Sequence, residues 1–483
     1  MTMRISVTMR ERMQSAYIGG AWTELTGAAQ FALINPATEE KIGDIALATA
    51  ADVDKAVSAA RMAFGTYSRS SVAERIDLLK RIVAVYEKRR DELASLLTLE
   101  MGAPISRTRL SQTSIGLTHL LEAINVLRDY PFETRRSNGT LILREPIGVC
   151  GLITPWNAPI MQVVSKVAPA LAAGCTMILK PSEQAPLSAI LFTEILHEAG
   201  VPAGVFNLLN GTGIEVGSAL SSHPGIDMVS FTGSTRAGIN VAKTAAQTVK
   251  RVHQELGGKS ANILLDDANF DIAVTKGVMN CYGNSGQSCV APDRMLVPAK
   301  FYDRTIEIAA DVAEKICVGN PFDERTNLGP LVNKSQYDRV RDLIEQGKRA
   351  GARLVTGGTE RPEGLEHGYF VRPTVFADVT ADNPIAMEEI FGPVISIIPY
   401  QSEDEAIEIA NNTPYGLAAY VQSANPERIQ AVARRLQAGY VYANYALPDY
   451  SAPFGGYKQS GNGREYGEWG LEAFVELKSM VGL

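Results

Sequence analysis

The chain has 483 residues, enough for two or three domains at roughly 100–200 residues each. Hydrophobic residues make up 46% and charged residues 20%, as in ordinary globular proteins, and no apolar run reaches the roughly 18 residues that a membrane helix needs. The net charge of −7 disfavours a nucleic-acid backbone, so neither a membrane nor a nucleic acid is expected as a partner.

The cysteines indicate a reducing compartment. There are five, an odd number, and none forms a C-x-x-C pair, which argues against a disulfide framework and against a zinc site. The N-terminal segment MTMRISVTMRERMQ is basic but lacks an apolar core, so it makes a poor secretory signal peptide. A cytoplasmic protein without a metal ion is therefore expected.

The first half of the chain contains a helical region followed by alternating strands and helices. Residues 51–128 carry apolar residues at helical spacing, with Ser71 as a predicted N-cap and Gly102 as a predicted end. From residue 148 the apolar strands GVCGLIT, CTMILK, GVFNLL and DMVSFTG alternate with helices, and another helix begins at Thr235. This alternation predicts βαβ units and a doubly wound, parallel sheet.

The second half repeats this alternation. After the strand candidates RVHQEL and SANILL, the series continues with RMLVP, a helix near 301–315, ARLVTG, ISIIPY, a helix at 403–411, GLAAYV, a helix at 425–436, and GYVYAN. It predicts a second α/β domain. Between the helical region and the first sheet, residues 133–146 alternate like a hairpin with Asn138-Gly139 at its turn. Such a hairpin could pair with another subunit.

Two loops that follow predicted strands could hold a dinucleotide. In TGSTRAG, Gly233 and Gly238 lie at a strand-to-helix turn, where a phosphate can approach the backbone and a helix N-terminus favours an anion. The spacing is not G-x-G-x-x-G, so a plain tight turn explains it equally well. Lys180 and Glu183 follow CTMILK, where an acidic side chain can accept hydrogen bonds from a ribose, although a solvated loop is the simpler interpretation.

Asn157 and Glu255 are candidates for an oxyanion site and a general base. Asn157, in TPWNAP, can offer an uncharged N–H donor to a carbonyl oxygen, or it can simply cap the helix that follows. Glu255, in QELGGKS, precedes two glycines and could act as a base in a partly dry site, although most glutamates lie at the surface.

Cys289 is a candidate nucleophile. It stands in YGNSGQSCVAPDR among small and polar residues, whereas a free cysteine is more often a small buried hydrophobe. Its own backbone N–H could complete an oxyanion site. None of the five histidines lies in an obvious Cys-His motif, so a cofactor-free cysteine hydrolase has no support in the sequence.

Together these segments closely resemble the aldehyde dehydrogenase superfamily, in its hydrolytic, NAD(P)-dependent form, over nearly the whole chain. The resemblance is carried by TPWNAP, ILKPSE, FTGSTRAG, QELGGKS, GQSC, EEIFGPV at 388–394, and PFGGYKQSG. It implies an α/β fold with a Rossmann-type cofactor domain, a second α/β catalytic domain and a small bridging β element. The implied ranges are 1–130 with 147–257 for the cofactor domain, 258–460 for the catalytic domain, and 131–146 with 461–483 for the bridging, oligomerisation element.

The resemblance also implies a role for each motif. Cys289 would be the nucleophile, Glu255 the general base, and Asn157 with the Cys289 backbone N–H the oxyanion hole. The other implied residues would hold the dinucleotide: Lys180 and Glu183 at the adenosine ribose, the Gly233–Gly238 turn at the pyrophosphate, Glu389 and Phe391 at the nicotinamide riboside, and Ser234 and Trp156 as further cofactor contacts.

The implied reaction oxidises an aldehyde to a carboxylic acid with NAD, through a cysteine thiohemiacetal and a thioester that water resolves. NAD is expected over NADP because Glu183 would repel a 2′-phosphate, although Lys180 opposes this preference. A homodimer or homotetramer is implied. There are two alternatives. One is a CoA-acylating dehydrogenase, although members of that branch often lack a base at the position of Glu255. The other is a non-enzymatic binding or structural relative.

The sequence departs from the common family pattern at positions that affect the choice of substrate. Ala158 stands where relatives for small aldehydes carry an aromatic residue, and Ser165 occupies another position that is often aromatic. Tyr445, Tyr450 and Phe454 lie in or just before PFGG. These residues predict a wide, partly polar tunnel that is not committed to one substrate.

Overall fold

The computed structural model describes residues 5–482, so residues 1–4 of the expected cofactor domain and residue 483 of the expected bridging element lie outside it. In chain order the strands are β1 (Ser15–Ile18), β2 (Ala21–Glu24), β3 (Gln30–Ile34), β4 (Lys41–Ala46), β5 (Glu133–Arg135), β6 (Leu141–Pro146), β7 (Val149–Ile153), β8 (Thr176–Lys180), β9 (Phe206–Leu208), β10 (Met228–Thr232), β11 (Arg251–Glu255), β12 (Ala261–Leu264), β13 (Arg294–Pro298), β14 (Arg353–Thr356), β15 (Thr374–Ala377), β16 (Val394–Tyr400), β17 (Ala418–Gln422), β18 (Tyr440–Ala443), β19 (Gly461–Asn462) and β20 (Val475–Met480).

The α-helices in the same range are α1 (Val7–Met13), α2 (Ala50–Tyr67), α3 (Val72–Lys88), α4 (Arg90–Met101), α5 (Ile105–Arg107), α6 (Thr113–Asp129), α7 (Pro159–Ala173), α8 (Leu187–Glu198), α9 (Ser218–Ser222), α10 (Thr235–Ala245), α11 (Phe270–Cys281), α12 (Tyr302–Glu314), α13 (Lys334–Arg349), α14 (Pro384–Met387), α15 (Glu403–Asn411), α16 (Pro426–Ala433) and α17 (Gly467–Glu472). Within residues 5–482, no helix is both long enough and apolar enough to cross a membrane.

The predicted helical region is confirmed, and local chemistry sets two of its ends. The Ser71 hydroxyl accepts the backbone N–H of Glu74, and the Glu74 carboxylate accepts the Ser71 N–H in return, which caps α3. Gly102 ends α4 with φ 78, a left-handed conformation that glycine adopts without strain. The stretch between them forms two helices, because the chain leaves helical geometry at Arg89.

The first sheet has the strand order β19-β11-β10-β7-β8-β9-β1-β2. Its five central strands, β11 to β9, are parallel as predicted. The outer strands β1 and β2 on one side and β19 on the other are antiparallel additions that were not predicted from the sequence. Successive strands are added on one side of β7 and then, from β10, on the other. The loops after β7 and β10 therefore lie at the switch point where open α/β sheets bind ligands.

The second sheet has the order β14-β15-β16-β13-β12-β17-β18. It is parallel from β15 to β18, and only β14 runs antiparallel. Strands β12 and β13 of this sheet, like β7, β8 and β10 of the first, are buried along their whole length. That burial explains their continuous apolar sequences, since helices cover both faces of a parallel sheet.

The hairpin predicted at 133–146 is confirmed. Strand β5 pairs with β6 in antiparallel register, and Gly139 takes φ 89 in the turn. Strand β20 joins the other side of β6, which makes a separate three-stranded sheet from two distant parts of the chain. The boundaries of the three expected domains stay a prediction.

Candidate active site

A cavity of about 600 Å³ opens at the switch point of the first sheet. Its lining includes most of the predicted site residues: Trp156, Asn157, Gly233, Ser234, Cys289, Glu389 and Phe391. They come from the loops after β7 and β10, the segment after α11, and the EEIFGPV loop before β16. Segments far apart in sequence thus meet in one place.

Cys289 follows a turn that requires glycine. After α11, Asn284 and Ser285 both have φ 57 and Gly286 has φ 73, so the chain makes consecutive left-handed steps. A Cβ at Gly286 would lie 2.0 Å from the carbonyl oxygen of Gly392, so a side chain cannot fit there. Non-glycine residues hold this conformation only when the surroundings enforce it, and such strain is typical of functional sites.

Asn157 is tied to this turn and does not cap α7. The cap position is Ala158, which makes no side-chain hydrogen bond, so the capping interpretation is wrong. The buried Asn157 amide instead donates to the carbonyl oxygen of Gln287 at 3.2 Å. In return the Asn284 amide donates to the Asn157 carbonyl oxygen at 2.8 Å. An asparagine amide has two N–H donors, so one remains for an oxyanion beside Cys289.

The two glycines after Glu255 allow a close approach of backbone and side chains. A Cβ at Gly258 would lie 2.2 Å from the carbonyl oxygen of Cys289, and one at Gly257 would lie 2.5 Å from a carboxylate oxygen of Glu389. The Gly258 N–H donates to that carboxylate group at 3.0 Å. The Gly-Gly pair therefore has a steric role, because any side chain there would displace Cys289 or Glu389.

The surroundings of Cys289 favour the neutral thiol. Burial raises the pKa of the Cys289 thiol, and the carboxylates of Glu389 and Glu255 raise it further. The backbone N–H of Cys289 faces its own sulfur and lowers the pKa. Formation of a thiolate therefore calls for a nearby base or a positive charge beside the sulfur.

Glu255 is buried at the end of β11 and does not itself line the cavity, whereas the next two residues, Leu256 and Gly257, do. Neither carboxylate oxygen has a hydrogen-bond partner among the described residues. The pKa of Glu255 is raised well above its usual range, mainly by burial and secondly by repulsion from the charge of Glu465. A buried carboxylate that lacks partners is costly in a folded protein, and such groups cluster at functional sites.

Lys180 and Glu183 lie apart from the cavity, at the end of the neighbouring strand β8. The Lys180 ammonium donates to the Pro181 carbonyl oxygen at 2.8 Å and to the Glu183 carboxylate at 3.2 Å. Lys180 is buried, so the solvated-loop interpretation is wrong for it, whereas Glu183 is partly exposed. A ligand in contact with both places must extend along the strand ends from β10 to β8.

Gly238 does not line the cavity. It lies inside α10, where a Cβ would be 2.5 Å from a methyl group of Leu256. Its absence of a side chain lets α10 pack closely on the segment after β11, and this positions the N-terminus of the helix. Ser234 caps that N-terminus by accepting the N–H of Ala237.

The cavity fits a dinucleotide. The N-terminus of α10 presents free backbone N–H groups to it, which suit a pyrophosphate. The rings of Trp156 and Phe391 meet edge to face at 5.4 Å and form an aromatic wall. Glu389 offers a carboxylate on the same wall, and its pKa is raised to about 7 by burial.

A group of aromatic rings packs around Cys289 and its neighbour Val290. It consists of Tyr420, Tyr440, Tyr442, Tyr445, Tyr450, Phe454 and Tyr466. Three of them, Tyr445, Tyr450 and Phe454, were named from the sequence; the others come from β17, β18 and the residue just before α17, where no local pattern marks them as neighbours of the thiol. The side of the site away from the cavity is therefore mainly aromatic, with phenol hydroxyls as its polar part.

Comparison with known proteins gives a consistent result. The model of the aldehyde dehydrogenase family matches residues 22–480. A 3-succinoylsemialdehyde-pyridine dehydrogenase of a Pseudomonas species is 53% identical over 467 residues, which cover 96% of this chain and 98% of the relative.

Solved structures agree with this match. A mutant of aldehyde dehydrogenase C from Pseudomonas syringae, in complex with NAD+ and octanal, is 50% identical with a TM-score of 0.97, covering 99% of this chain and 98% of that one. The NAD+ complex of an aldehyde dehydrogenase from Bacillus cereus is 39% identical with a TM-score of 0.95, covering 99% of each chain.

Proposed function

Since the chain belongs to the aldehyde dehydrogenase family, we propose that Cys289, Glu255 and Asn157 carry the family reaction, the NAD-dependent oxidation of an aldehyde to a carboxylic acid. The observation that carries this assignment is the surroundings of Cys289. Its turn is hydrogen-bonded to the Asn157 loop, and the buried carboxylate of Glu255 has no hydrogen-bond partner within residues 5–482. A CoA-acylating reaction is not favoured, because Glu255 offers a carboxylate that can act as the base for water.

Cys289 begins the reaction by attack on the aldehyde carbon. The thiol loses its proton to solvent, the sulfur forms a bond to that carbon, and the carbonyl π electrons move to the oxygen, which becomes an alkoxide. The free N–H of the Asn157 amide and the backbone N–H of Cys289 stabilise this charge as it develops. The bound nicotinamide supplies the acceptor for the hydride that leaves the same carbon.

Glu255 then acts on the thioester. As a general base it takes a proton from a water molecule, whose oxygen attacks the thioester carbon. The carbon–sulfur bond breaks, Cys289 leaves as a thiolate, and the carboxylic acid is released. The carboxylate is suited to this step because, in the part of the chain that the structure describes, no hydrogen bond occupies its two oxygens.

The remaining cavity residues hold the cofactor in this proposal. Trp156, Phe391 and Glu389 bind the nicotinamide riboside, and the turn from Gly233 through Ser234 binds the pyrophosphate. Lys180 and Glu183 bind the adenosine ribose beyond them, and Gly238 contributes indirectly through the packing of α10. Two of the similar solved structures contain NAD+, which supports NAD as the cofactor.

We expect NAD to be preferred over NADP. A 2′-phosphate removes the hydroxyl donor that Glu183 can accept and adds negative charge beside it. An unpaired polar group costs about 1–3 kcal/mol, which corresponds to roughly 5- to 150-fold in kcat/KM. Glu183→Gln should narrow the difference, because the amide removes the repulsion.

A panel of aldehydes with each cofactor tests both the activity and this preference. The panel should include octanal, which is bound in the similar Pseudomonas syringae structure, and a pyridine semialdehyde, for which the similar Pseudomonas enzyme is named. The aromatic rings beside Cys289 also suit an apolar or aromatic tail on the substrate. Glu198→Gln, at an exposed position of α8, is the matched control. Equal kcat/KM for the two cofactors would show that Lys180 outweighs Glu183, and a requirement for CoA would overturn the hydrolytic reaction.

We also expect a homodimer or homotetramer that forms through the sheet β20-β6-β5. Its edge strands β5 and β20 leave backbone groups unpaired, and Leu477 in β20 is 68% exposed. Leu477→Asp should lower the mass measured by light scattering. Met62→Asp, at another exposed apolar residue, should leave the mass unchanged. A monomeric wild-type protein would contradict this expectation.

A further inference from the structure

A buried chain of polar side chains ends at Glu255. Lys166 in α7 is fully buried, and its ammonium donates to Glu465 at 2.5 Å and to the Ser230 hydroxyl oxygen at 3.0 Å. Nδ1 of His253 lies 3.3 Å from the same hydroxyl oxygen. Nε2 of His253 lies 3.8 Å from Oε1 of Glu255. Among the described residues, neither this Nε2 atom nor the two carboxylate oxygens has a hydrogen-bond partner.

The space around His253 and Glu255 depends on glycine. Both residues lie in β11, two positions apart, so their side chains point to the same face of the strand. A Cβ at Gly455 would lie 2.7 Å from Oε1 of Glu255, and one at Gly463 would lie 1.9 Å from Cδ2 of His253. The segments on either side of β19 thus leave room for these two side chains because they carry glycine at Gly455 and Gly463.

The hydrogen-bond chain determines which nitrogen of His253 carries the proton. Lys166 can only donate, so the Ser230 oxygen accepts from it. If Nδ1 of His253 also donated to that oxygen, the Ser230 O–H would lack an acceptor among the described residues. The chain is satisfied when Ser230 donates to Nδ1. Burial lowers the pKa of His253 to about 4, so the neutral ring carries its hydrogen on Nε2, which faces Glu255.

We propose that His253 is a positioning residue for Glu255: its Nε2–H donates to the carboxylate, orients it and stabilises the ionised form that a general base needs. The proposal rests on the role of Glu255 in the proposed function. The 3.8 Å separation is short enough for a small rotation of the Glu255 side chain to form the hydrogen bond, and among the described residues no other partner holds that carboxylate.

This role opposes two of the influences on Glu255, namely its burial and the charge of Glu465. The charged groups that face it are Glu465, Lys166 and Arg464. Burial and Glu465 favour the protonated acid, whereas Lys166 and Arg464 favour the carboxylate. A hydrogen bond from His253 also favours the carboxylate, so its loss should raise the pKa of Glu255 further. The base would then form only at higher pH.

Two substitutions at His253 separate positioning from packing. Asn keeps an amide near Ser230 but does not reach Glu255, whereas the longer Gln places an amide N–H close to the position of Nε2. In His253→Asn we expect the NADH burst to be retained. Thioester hydrolysis should fall roughly 10- to 100-fold, as for loss of a hydrogen bond to a charged group, and the acidic limb of its pH profile should shift to higher pH. His253→Gln should restore most of the rate.

Glu255→Gln in the same assay distinguishes a failure of this proposal from a failure of the proposed function. If Glu255→Gln hydrolyses the thioester normally, Glu255 is not the base. If Glu255→Gln stalls while His253→Asn keeps the wild-type rate and pH profile, the role of His253 is overturned. If His253→Asn does not fold, Ser230→Ala tests the same role. This substitution removes the hydrogen bond to Nδ1 of His253, and it should also shift the pH profile of hydrolysis to higher pH.

Discussion

Replacement of Cys289 by alanine is expected to abolish aldehyde oxidation while NAD binding persists. Without the sulfur no thiohemiacetal forms, and loss of a nucleophile costs on the order of 10⁶-fold in turnover. The proposed cofactor contacts involve other side chains that line the cavity, among them Trp156, Ser234 and Glu389, so the substitution leaves the aromatic wall and the helix N-terminus in place. NADH formation and NAD titration by tryptophan fluorescence measure the two properties separately.

Cys317→Ala is the matched control, because Cys317 is a free, exposed thiol away from the cavity. It should retain full activity. Residual turnover of Cys289→Ala above about 1% of wild type would exclude Cys289 as the nucleophile, since the expected loss is far larger. Loss of NAD binding would show instead that the substitution disturbs the turn that carries the thiol.

Glu255→Gln is expected to stop the reaction after hydride transfer. The amide cannot take a proton from water, so a burst of NADH of about one equivalent per active site should survive. Steady-state turnover should fall about 10²- to 10⁴-fold, the usual contribution of a general base. Rapid mixing of enzyme, NAD and aldehyde resolves the burst from the steady state.

The pH dependence of Glu255 has a definite sign. Burial raises the pKa of this carboxyl, so the ionised base is lost as pH falls through the raised value and is present above it. Wild-type hydrolysis should therefore increase with pH across that range, and Glu255→Gln should lose the increase. Glu198→Gln should keep it. Unchanged steady-state turnover in Glu255→Gln would mean that another residue activates the water.

Local sequence was sufficient to predict most of the helices, the buried strands and the motifs. Ser71, Gly102 and Asn138-Gly139 act through backbone groups a few residues away, so the helix ends and the hairpin turn could be predicted. Continuous apolar runs identified the buried parallel strands. The outer strands β1 and β2 were missed because they are short, and β2 is largely exposed and lacks such a run.

The site needed the tertiary structure. Its motifs could be found in the sequence, but their partners could not, since Asn157 meets Gln287 and Gly258 meets the Cys289 carbonyl only after the two sheets pack together. The same holds for the burial of Lys180 and for the aromatic rings around the thiol.

His253 shows most clearly what the sequence determines and what only the tertiary structure determines. The period of two in β11 places it on the same face as Glu255, and this much is readable from the sequence. Which of its nitrogens carries the proton depends on Ser230 and Lys166, which lie on a different strand and on a helix. Hydrogen bonds between distant segments depend on how those elements pack, and no local rule specifies that packing.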